Sequence, residues 1–469
     1  MKIIKTAIIA IFLLQFNIAS AQYLKLLDFT GTNGQYPYAS LISDGTFLYG
    51  TTNYGGTNDS GVLFKMMPDG SGYNKLIDFT GTLNGRRPRG SLMFDGVYLY
   101  GTTSEGGTND VGTIFKIKTD GTGYVKLFTF SSASGSGYSP IASLTSDGIF
   151  LYGMTLFGGL NSNGTIFKIK KDGTEFAKIL DFAYLATGAN PCDSLFFDGA
   201  FLYGTTLSGG VNNGHGVVFK VQTDGNGFTK MHDFGASNDG KNPRGSLISD
   251  GTFLYGTTRE GGVSNKGTLF KIGIDGTGYT KLTDFATTGN PGIGPQSSLI
   301  FDGTDIYGMT TQGGANNRGI IFKVLPDGTN FTKLFDFDNN LGPNGSAPLG
   351  SLYKYGNILY GMASNGGISD KGTVFSYSLL PLAVQNNKPK SIFTISPNPT
   401  DGIISVSSLE KGLKEINAFN ILGQNVYTEV FSDDNYEATI DLYFLEAGIY
   451  SLKISTTSGE MQTVKFIKQ

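Results

Sequence analysis

The chain has 469 residues, a net charge of −3, two histidines, one cysteine and no tryptophan. That charge excludes a general electrostatic grip on nucleic acid, which needs a basic surface. A single cysteine excludes an intrachain disulfide, so packing and backbone pairing must hold the fold.

Residues 1–21 read as a secretory signal peptide. Lys2 and Lys5 give a charged start, IIAIFLLQF an apolar core, and Ala19-Ser20-Ala21 a small-residue cleavage site ahead of Gln22. The apolar run is too short for a transmembrane segment. With Cys192 the sole cysteine, none lies near the cleavage site to carry a lipid.

Residues 22–377 are an array. The dipeptide Tyr-Gly recurs at Tyr49, Tyr100, Tyr152, Tyr203, Tyr255, Tyr307 and Tyr360, at steps of 51 to 53 residues. Pro-x-x-Ser-Leu keeps the same step from Pro37, Pro88, Pro140, Pro191, Pro243, Pro295 and Pro348. The 69 glycines are about twice the usual ~7% share, and they fall at turns of fixed register. A period near 50 residues points to a propeller or a solenoid.

Each unit has four short apolar segments. From Pro243 they are SLIS, FLYGTT, TLFKI and YTKLTDF, separated by Asp-Gly or Gly-rich turns. No segment has helical spacing. The fold class is therefore all-β, with four antiparallel strands per unit, as in a propeller blade. The seventh unit lacks its fourth strand: after Phe375 the chain reads SYSLLPLAV. The missing segment is YLKLLDF, residues 23–29. This offset predicts a seven-bladed β-propeller closed by the N-terminal strand, since closure removes two open sheet edges. Leu24, Leu26, Leu27 and Phe29 are expected to cover the outer edge of the seventh unit.

Residues 378–390, SLLPLAVQNNKPK, read as a linker. From residue 391 glycine thins out and alternating patterns appear. They predict a small Ig-like β-sandwich of roughly seven strands over 391–469.

Few residues offer chemistry. His215 lies in a glycine loop, and His232 lies on the expected outermost strand, a poor place for a catalytic base. The repeated Asp-Gly pairs, such as Asp44-Gly45 and Asp69-Gly70, read as tight turns. No Asp-x-Asp-x-Asp run offers a calcium loop. No catalytic residue, metal ligand or cofactor is expected. The fourth-strand aspartates Asp28, Asp78, Asp181, Asp233, Asp284 and Asp336 are expected to pair with lysine on an adjacent strand, for ~0–1 kcal/mol each.

Geometry is more informative. The loops joining strands 2–3 and 4–1 share one face, and they vary from copy to copy, as binding loops on a rigid frame do. The residue after each repeat proline is expected at the channel mouth there. Around the ring it is Tyr38, Arg89, Ile141, Cys192, Arg244, Gln296 and Leu349. Two arginines in that ring suit an anionic or sugar ligand. A solvated rim without a ligand is the alternative, and Cys192 fits it as a small apolar group.

Two resemblances follow from quoted motifs. Leu-Tyr-Gly-Thr-Thr, a Gly-Gly pair such as Gly261-Gly262, and Gly-Thr-x-Phe-Lys resemble the GloVer tandem-repeat family of secreted proteins. That likeness implies no particular activity. The end of the chain resembles the type A sorting domain of the type IX secretion system. The matching residues are Pro397-Asn398-Pro399, Asn420-Ile421-Leu422-Gly423-Gln424, Gly448-Ile449-Tyr450, Leu452-Lys453-Ile454 and Lys465-Phe466-Ile467-Lys468. This likeness implies export by the type IX machinery, removal of the domain, and release of the passenger or its attachment to lipopolysaccharide. It also implies a Bacteroidetes-type source. Two functions fit these readings. One is a secreted, surface-displayed or released binding module for glycan or protein. The other is a carbohydrate-active enzyme with carboxylates at the channel mouth.

Overall fold

A computed structural model of the protein describes residues 22–132, 135–286, 292–337, 342–380, 393–408, 412–420, 423–432, 435–459 and 461–469. The expected signal peptide and most of the expected linker lie outside the described residues. The chain divides into two compact units, one of Ser20–Leu382 and one containing Ala383–Gln469. Every regular element among the described residues is a β-strand.

Among the described residues the first unit holds seven small antiparallel sheets. One of them runs Met93–Phe94, Tyr98–Thr103, Thr113–Lys118 and Val125–Thr129, in chain order across the sheet. The second and third strands are buried on both faces, which explains their runs of consecutive apolar residues.

Each repeated motif has a physical cause. The glycine of Tyr-Gly lies beneath the third-strand phenylalanine: a Cβ on Gly101 would come within 2.6 Å of the Phe115 ring. The tyrosine ring is buried, and in six of the seven units its hydroxyl donates to the turn aspartate, as Tyr255 does to Asp250 at 2.7 Å. The other oxygen of Asp250 accepts the N–H groups of Thr252 and Phe253 at 2.8 and 2.7 Å. Burial pulls this carboxyl upward, but the hydrogen bonds from Phe253, Tyr255 and Thr252 outweigh it and hold it below the usual range. Burial and the same carboxylate push the Tyr255 hydroxyl upward. Tyr255→Phe is expected to cost about 1.5–3 kcal/mol, the value of a hydrogen bond to a charged group. Equilibrium urea unfolding checks it, and an unchanged midpoint would remove this bond from the account of the repeat.

The first strand is shorter than the motif SLIS suggests, with only Ile248–Ser249 in strand geometry in that unit. The reason is the serine of Pro-x-x-Ser-Leu. Its backbone N–H leaves its own sheet and donates to the serine Oγ of the next unit. The bonds run from Ser40 to Ser91, Ser143, Ser194, Ser246, Ser298, Ser351 and back to Ser40, at 2.7–3.0 Å. The cycle is closed. A second cycle is aromatic. The fourth-strand phenylalanine of each unit meets the third-strand phenylalanine of the next edge-on, at 5.2–5.5 Å between ring centres, from Phe29–Phe64 round to Phe337–Phe375.

The strand Tyr23–Asp28 completes the sheet of Tyr353–Tyr355, Ile358–Ala363 and Thr373–Ser378. Tyr23 pairs with Tyr377 and Asp28 with Thr373. Tyr23 stacks on Phe335 at 4.0 Å, and Phe29 is fully buried with its N–H on Gly372 O at 2.9 Å. The expected apolar cover is only partly correct, because Leu24 is 54% exposed. A bulge between Lys25 and Leu27 shifts the register and leaves Leu24 facing solvent.

The bulge also corrects the expected ion pairs. Lysine and aspartate belong to the same strand, three residues apart: Lys75 Nζ lies 2.6 Å from Asp78, and Lys230 lies 2.8 Å from Asp233. An extra residue between them brings both side chains to one face. The aspartate has a second role. It accepts the N–H of the residue after Gly-Gly, so Asp28 receives Ile368 N–H at 3.0 Å across the seam.

In the second unit, Phe393–Ser396, Ile403–Ser408 and Glu437–Asp441 form one sheet. Leu413–Phe419, Asn425–Val430, Gly448–Thr456 and Met461–Lys468 form the other. Inward residues of both, including Phe393, Val406, Ile440, Ile416, Leu452 and Phe466, share one core.

Candidate functional site: the central cavity

The residue before each repeat proline has left-handed backbone. Tyr36, Arg87, Ser139, Asn190, Asn242, Gly294 and Ala347 have φ of 50–60°. The N–H of each donates to a loop carbonyl of the preceding unit at 2.8–2.9 Å, as Arg87 does to Ser60 and Tyr36 to Lys371. This conformation costs a non-glycine residue roughly 1–2 kcal/mol. The serine cycle then fixes the segment four residues later.

Together these constraints bring the seven expected mouth residues to one place. Tyr38, Arg89, Ile141, Cys192, Arg244, Gln296 and Leu349 line a single cavity of about 120 Å³. Ser91, Ser143, Ser194, Ser246 and Ser298 of the cycle line it too, with Asp193.

The arginines differ in their surroundings. The Arg89 guanidinium lies 5.1 Å from the centre of the Tyr38 ring. Burial raises the Tyr38 phenol and Arg89 opposes that rise. Arg244 Nη1 donates to Gln296 Oε1 at 3.2 Å, while its Nε is buried without a hydrogen-bond partner. Arg86, Arg87 and Arg259 make ion pairs. Among the described residues no carboxylate pairs with Arg89 or Arg244.

Asp193 is the residue that sequence reasoning missed. Its column in the repeat is otherwise small: Ala39, Gly90, Ala142, Gly245, Ser297 and Gly350. Burial pushes the Asp193 carboxyl up to about 7, against the opposing pull of the Cys192 thiol and Arg244. Cys192 is also more than an apolar filler, since its Sγ donates to Asp193 Oδ2 at 3.4 Å. Burial and the neighbouring Asp193 charge push that thiol upward, so it is protonated and unreactive at neutral pH.

The histidines stand elsewhere. His232, on the outer strand Thr229–Asp233, bonds Asp239 Oδ2 at 2.9 Å and stacks on Tyr279 at 3.6 Å. His215 forms an isolated bridge with Gly209. Neither lines the cavity. Among the described residues no cluster of three His, Cys, Asp or Glu side chains could hold a metal ion.

The sorting-motif residues meet within the second unit. Asn398 Nδ2 donates to Lys465 O and Asn398 Oδ1 accepts Ile467 N–H, both at 3.0 Å. Pro397 and Pro399 flank it, each after a cis peptide bond. The Asn398 side chain thus clamps the last strand. Tyr450 stacks on Phe466 at 5.5 Å and donates to Glu446 O at 2.9 Å, and Gly448 opens that strand. Gly423, at φ 76°, closes a turn on Asn420. Ile421 and Leu422 lie outside the described residues.

The Gloeobacter/Verrucomicrobia repeat matches residues 10–150, 135–273 and 237–412. The chain belongs to the Gloeobacter/Verrucomicrobia repeat family. A second match, to the secretion system C-terminal sorting domain, spans residues 394–469 of this repeat protein. It makes the chain a secreted or cell-surface protein and implies the type IX export machinery. Among the described residues no helix is long and apolar enough to cross a membrane. No curated protein matches the chain in sequence.

Among solved structures, the repeat protein resembles the extracellular domain of a B. thetaiotaomicron protein assigned as a one-component system. Identity is 14% and the TM-score 0.51, covering 96% of this chain and 59% of that one. A second structure, assigned as a hybrid two-component system from B. thetaiotaomicron, gives 12% and 0.50, covering 93% and 56%. The chain therefore spans less than two thirds of those domains. The neighbouring folds are propeller-like, and at such identities the likeness concerns fold alone.

Proposed function

We propose that the protein is a non-catalytic binding module, exported through the type IX system, whose central cavity takes an anionic group of a glycan or protein. In this reading residues 22–377 form a seven-bladed β-propeller behind a signal peptide at 1–21. A linker over 378–390 joins it to an Ig-like sorting domain over 391–469. The serine and phenylalanine cycles, each running through seven units, support the ring. The sorting domain is removed on export from a Bacteroidetes-type cell, and the propeller is released or joined to lipopolysaccharide.

One observation carries the binding reading. Two arginines without carboxylate partners share a small cavity with a set of serine hydroxyls. The enzymatic alternative has less support. Glycoside hydrolysis ordinarily needs two carboxyl groups about 5–10 Å apart, and the cavity lining contributes one, Asp193.

A glycan array probed with the secreted chain tests the reading, with acidic glycans expected among the hits. The Arg89→Ala, Arg244→Ala double variant is expected to lose at least tenfold in affinity for such a hit, as expected for charge-assisted contacts. Its melting temperature should barely move. Unchanged binding by the double variant would place the site elsewhere.

A further inference from the structure

Three features of the cavity are unused by the fold. The first is the buried Arg244 Nε, which has no partner. Such an orphaned donor is costly unless a ligand or water satisfies it. The second is the serine cycle. Each Oγ accepts a backbone N–H from the neighbouring unit. A hydroxyl also has one proton to give, and among the described residues none of these seven protons has an acceptor. The third is Asp193, an acid at a position where every other unit has Ala, Gly or Ser.

The donors line one cavity. Arg244 and Arg89 are cationic, and the serine hydroxyls of the lining offer O–H groups. A cavity of about 120 Å³ has room for a carboxylate or sulfate group, given ~30 Å³ for each water displaced. Asp193 stands against this use, because a charged carboxylate in the same space repels an incoming anion. Its charge costs nothing when it carries a proton.

We propose that the cavity binds the carboxylate of an acidic sugar together with one proton, with Arg244 and the serine hydroxyls receiving the anion and Asp193 holding the proton. This rests on the reading of the cavity as the ligand site. Protonated Asp193 becomes a further donor to the bound anion. The groups facing Asp193 allow the switch to act near neutrality. Cys192 and Tyr38 stay protonated there, since burial raises both. The other charged groups of the lining are Arg89 and Arg244. Of the lining residues, Asp193, pushed by burial up to about 7, is the one that changes charge between pH 5.5 and 8.5. The sign follows: below that value the carboxyl is neutral and the anion binds, and above it binding demands a proton from solvent.

Calorimetric titration of the full secreted chain with galacturonate, glucose 6-sulfate and neutral galactose tests the proposal. Affinity for galacturonate should fall roughly thirtyfold from pH 5.5 to 8.5, the change in protonated fraction for a group titrating near 7. Near pH 8, titrations in buffers of different ionisation heat should show about one proton taken up per sugar bound. Asp193→Asn should bind at pH 8.5 as the parent does at pH 5.5, with no proton uptake. Arg244→Gln should lose binding at both pH values. Galactose should not bind. Glucose 6-sulfate binding as tightly as galacturonate, with the same pH dependence, would overturn the carboxylate assignment. Galacturonate binding that depends on Arg244 but not on pH or Asp193 would overturn the proton link and leave the cavity as the ligand site. Binding unaffected by Arg244→Gln, or no binding at all, would overturn the proposal together with the reading beneath it.

Discussion

Removal of residues 22–30 is expected to give a protein that aggregates, in place of an array short of one strand. The deletion takes away the whole strand Tyr23–Asp28 and with it the outer edge of its sheet. It removes Phe29, whose full burial contributes on the order of 1.5–3 kcal/mol. Tyr23, stacked between Phe335 and Phe375, adds about 0.5–1.5 kcal/mol beyond its area. Asp28 leaves the Ile368 N–H without its acceptor. The sum is a large part of the ~5–15 kcal/mol by which a typical domain is stable. The strand Thr373–Ser378 would then present an unpaired edge, a template for another chain. Size-exclusion chromatography and thermal unfolding measure the outcome. Deleting residues 381–387 instead is expected to leave the elution volume unchanged. A monomeric, equally stable Δ22–30 protein would mean that the seam contributes nothing.

Truncation after Gln385 is expected to abolish surface display while leaving the array folded. Among the described residues the sorting domain has an apolar cluster of its own, drawn from within 393–466. In a host carrying the type IX system, the truncated chain should collect in the periplasm with the melting temperature of the full-length array. Detection of the truncated protein at the cell surface by protease shaving would remove the sorting role. Loss of a folded array would instead mean that the two units depend on each other for stability.

Much of the array was legible because each repeated residue answers a local demand made seven times. Tyr-Gly is legible as a buried ring, whose hydroxyl meets a turn aspartate in six of the units, beside a glycine that must admit a phenylalanine ring. The serine is legible only as a repeat, because its partner lies in the next unit. The seam was readable by counting, since a missing fourth strand at one end matched a spare at the other. The mouth residues were readable because proline and serine fix the chain on either side of them. Two things escaped: a bulge that every unit repeats and one departure from the period. The bulge that turns Leu24 outward and brings Lys75 to Asp78 inserts a residue without marking the sequence. Asp193 carried a signal, a lone acid in a column of small residues, which a column-by-column comparison would have found. Its chemistry needed the structure, because burial and not residue type moves its proton affinity.

The serine cycle also bears on how the protein comes to be folded. Six of its bonds join residues about one repeat apart and can form as soon as two units exist. The seventh joins Ser351 to Ser40, 311 positions away, and Ile368 to Asp28 spans 340. Closing a loop of that length carries an entropic cost that grows only as the logarithm of its length, yet the search it demands slows folding as contact order rises. The N-terminal strand is thus the first part of the array to be made and the last to find its place. Until the final repeat emerges, Tyr23–Asp28 has no sheet to join, so the interval between synthesis and seam closure is when this chain is most in need of a chaperone.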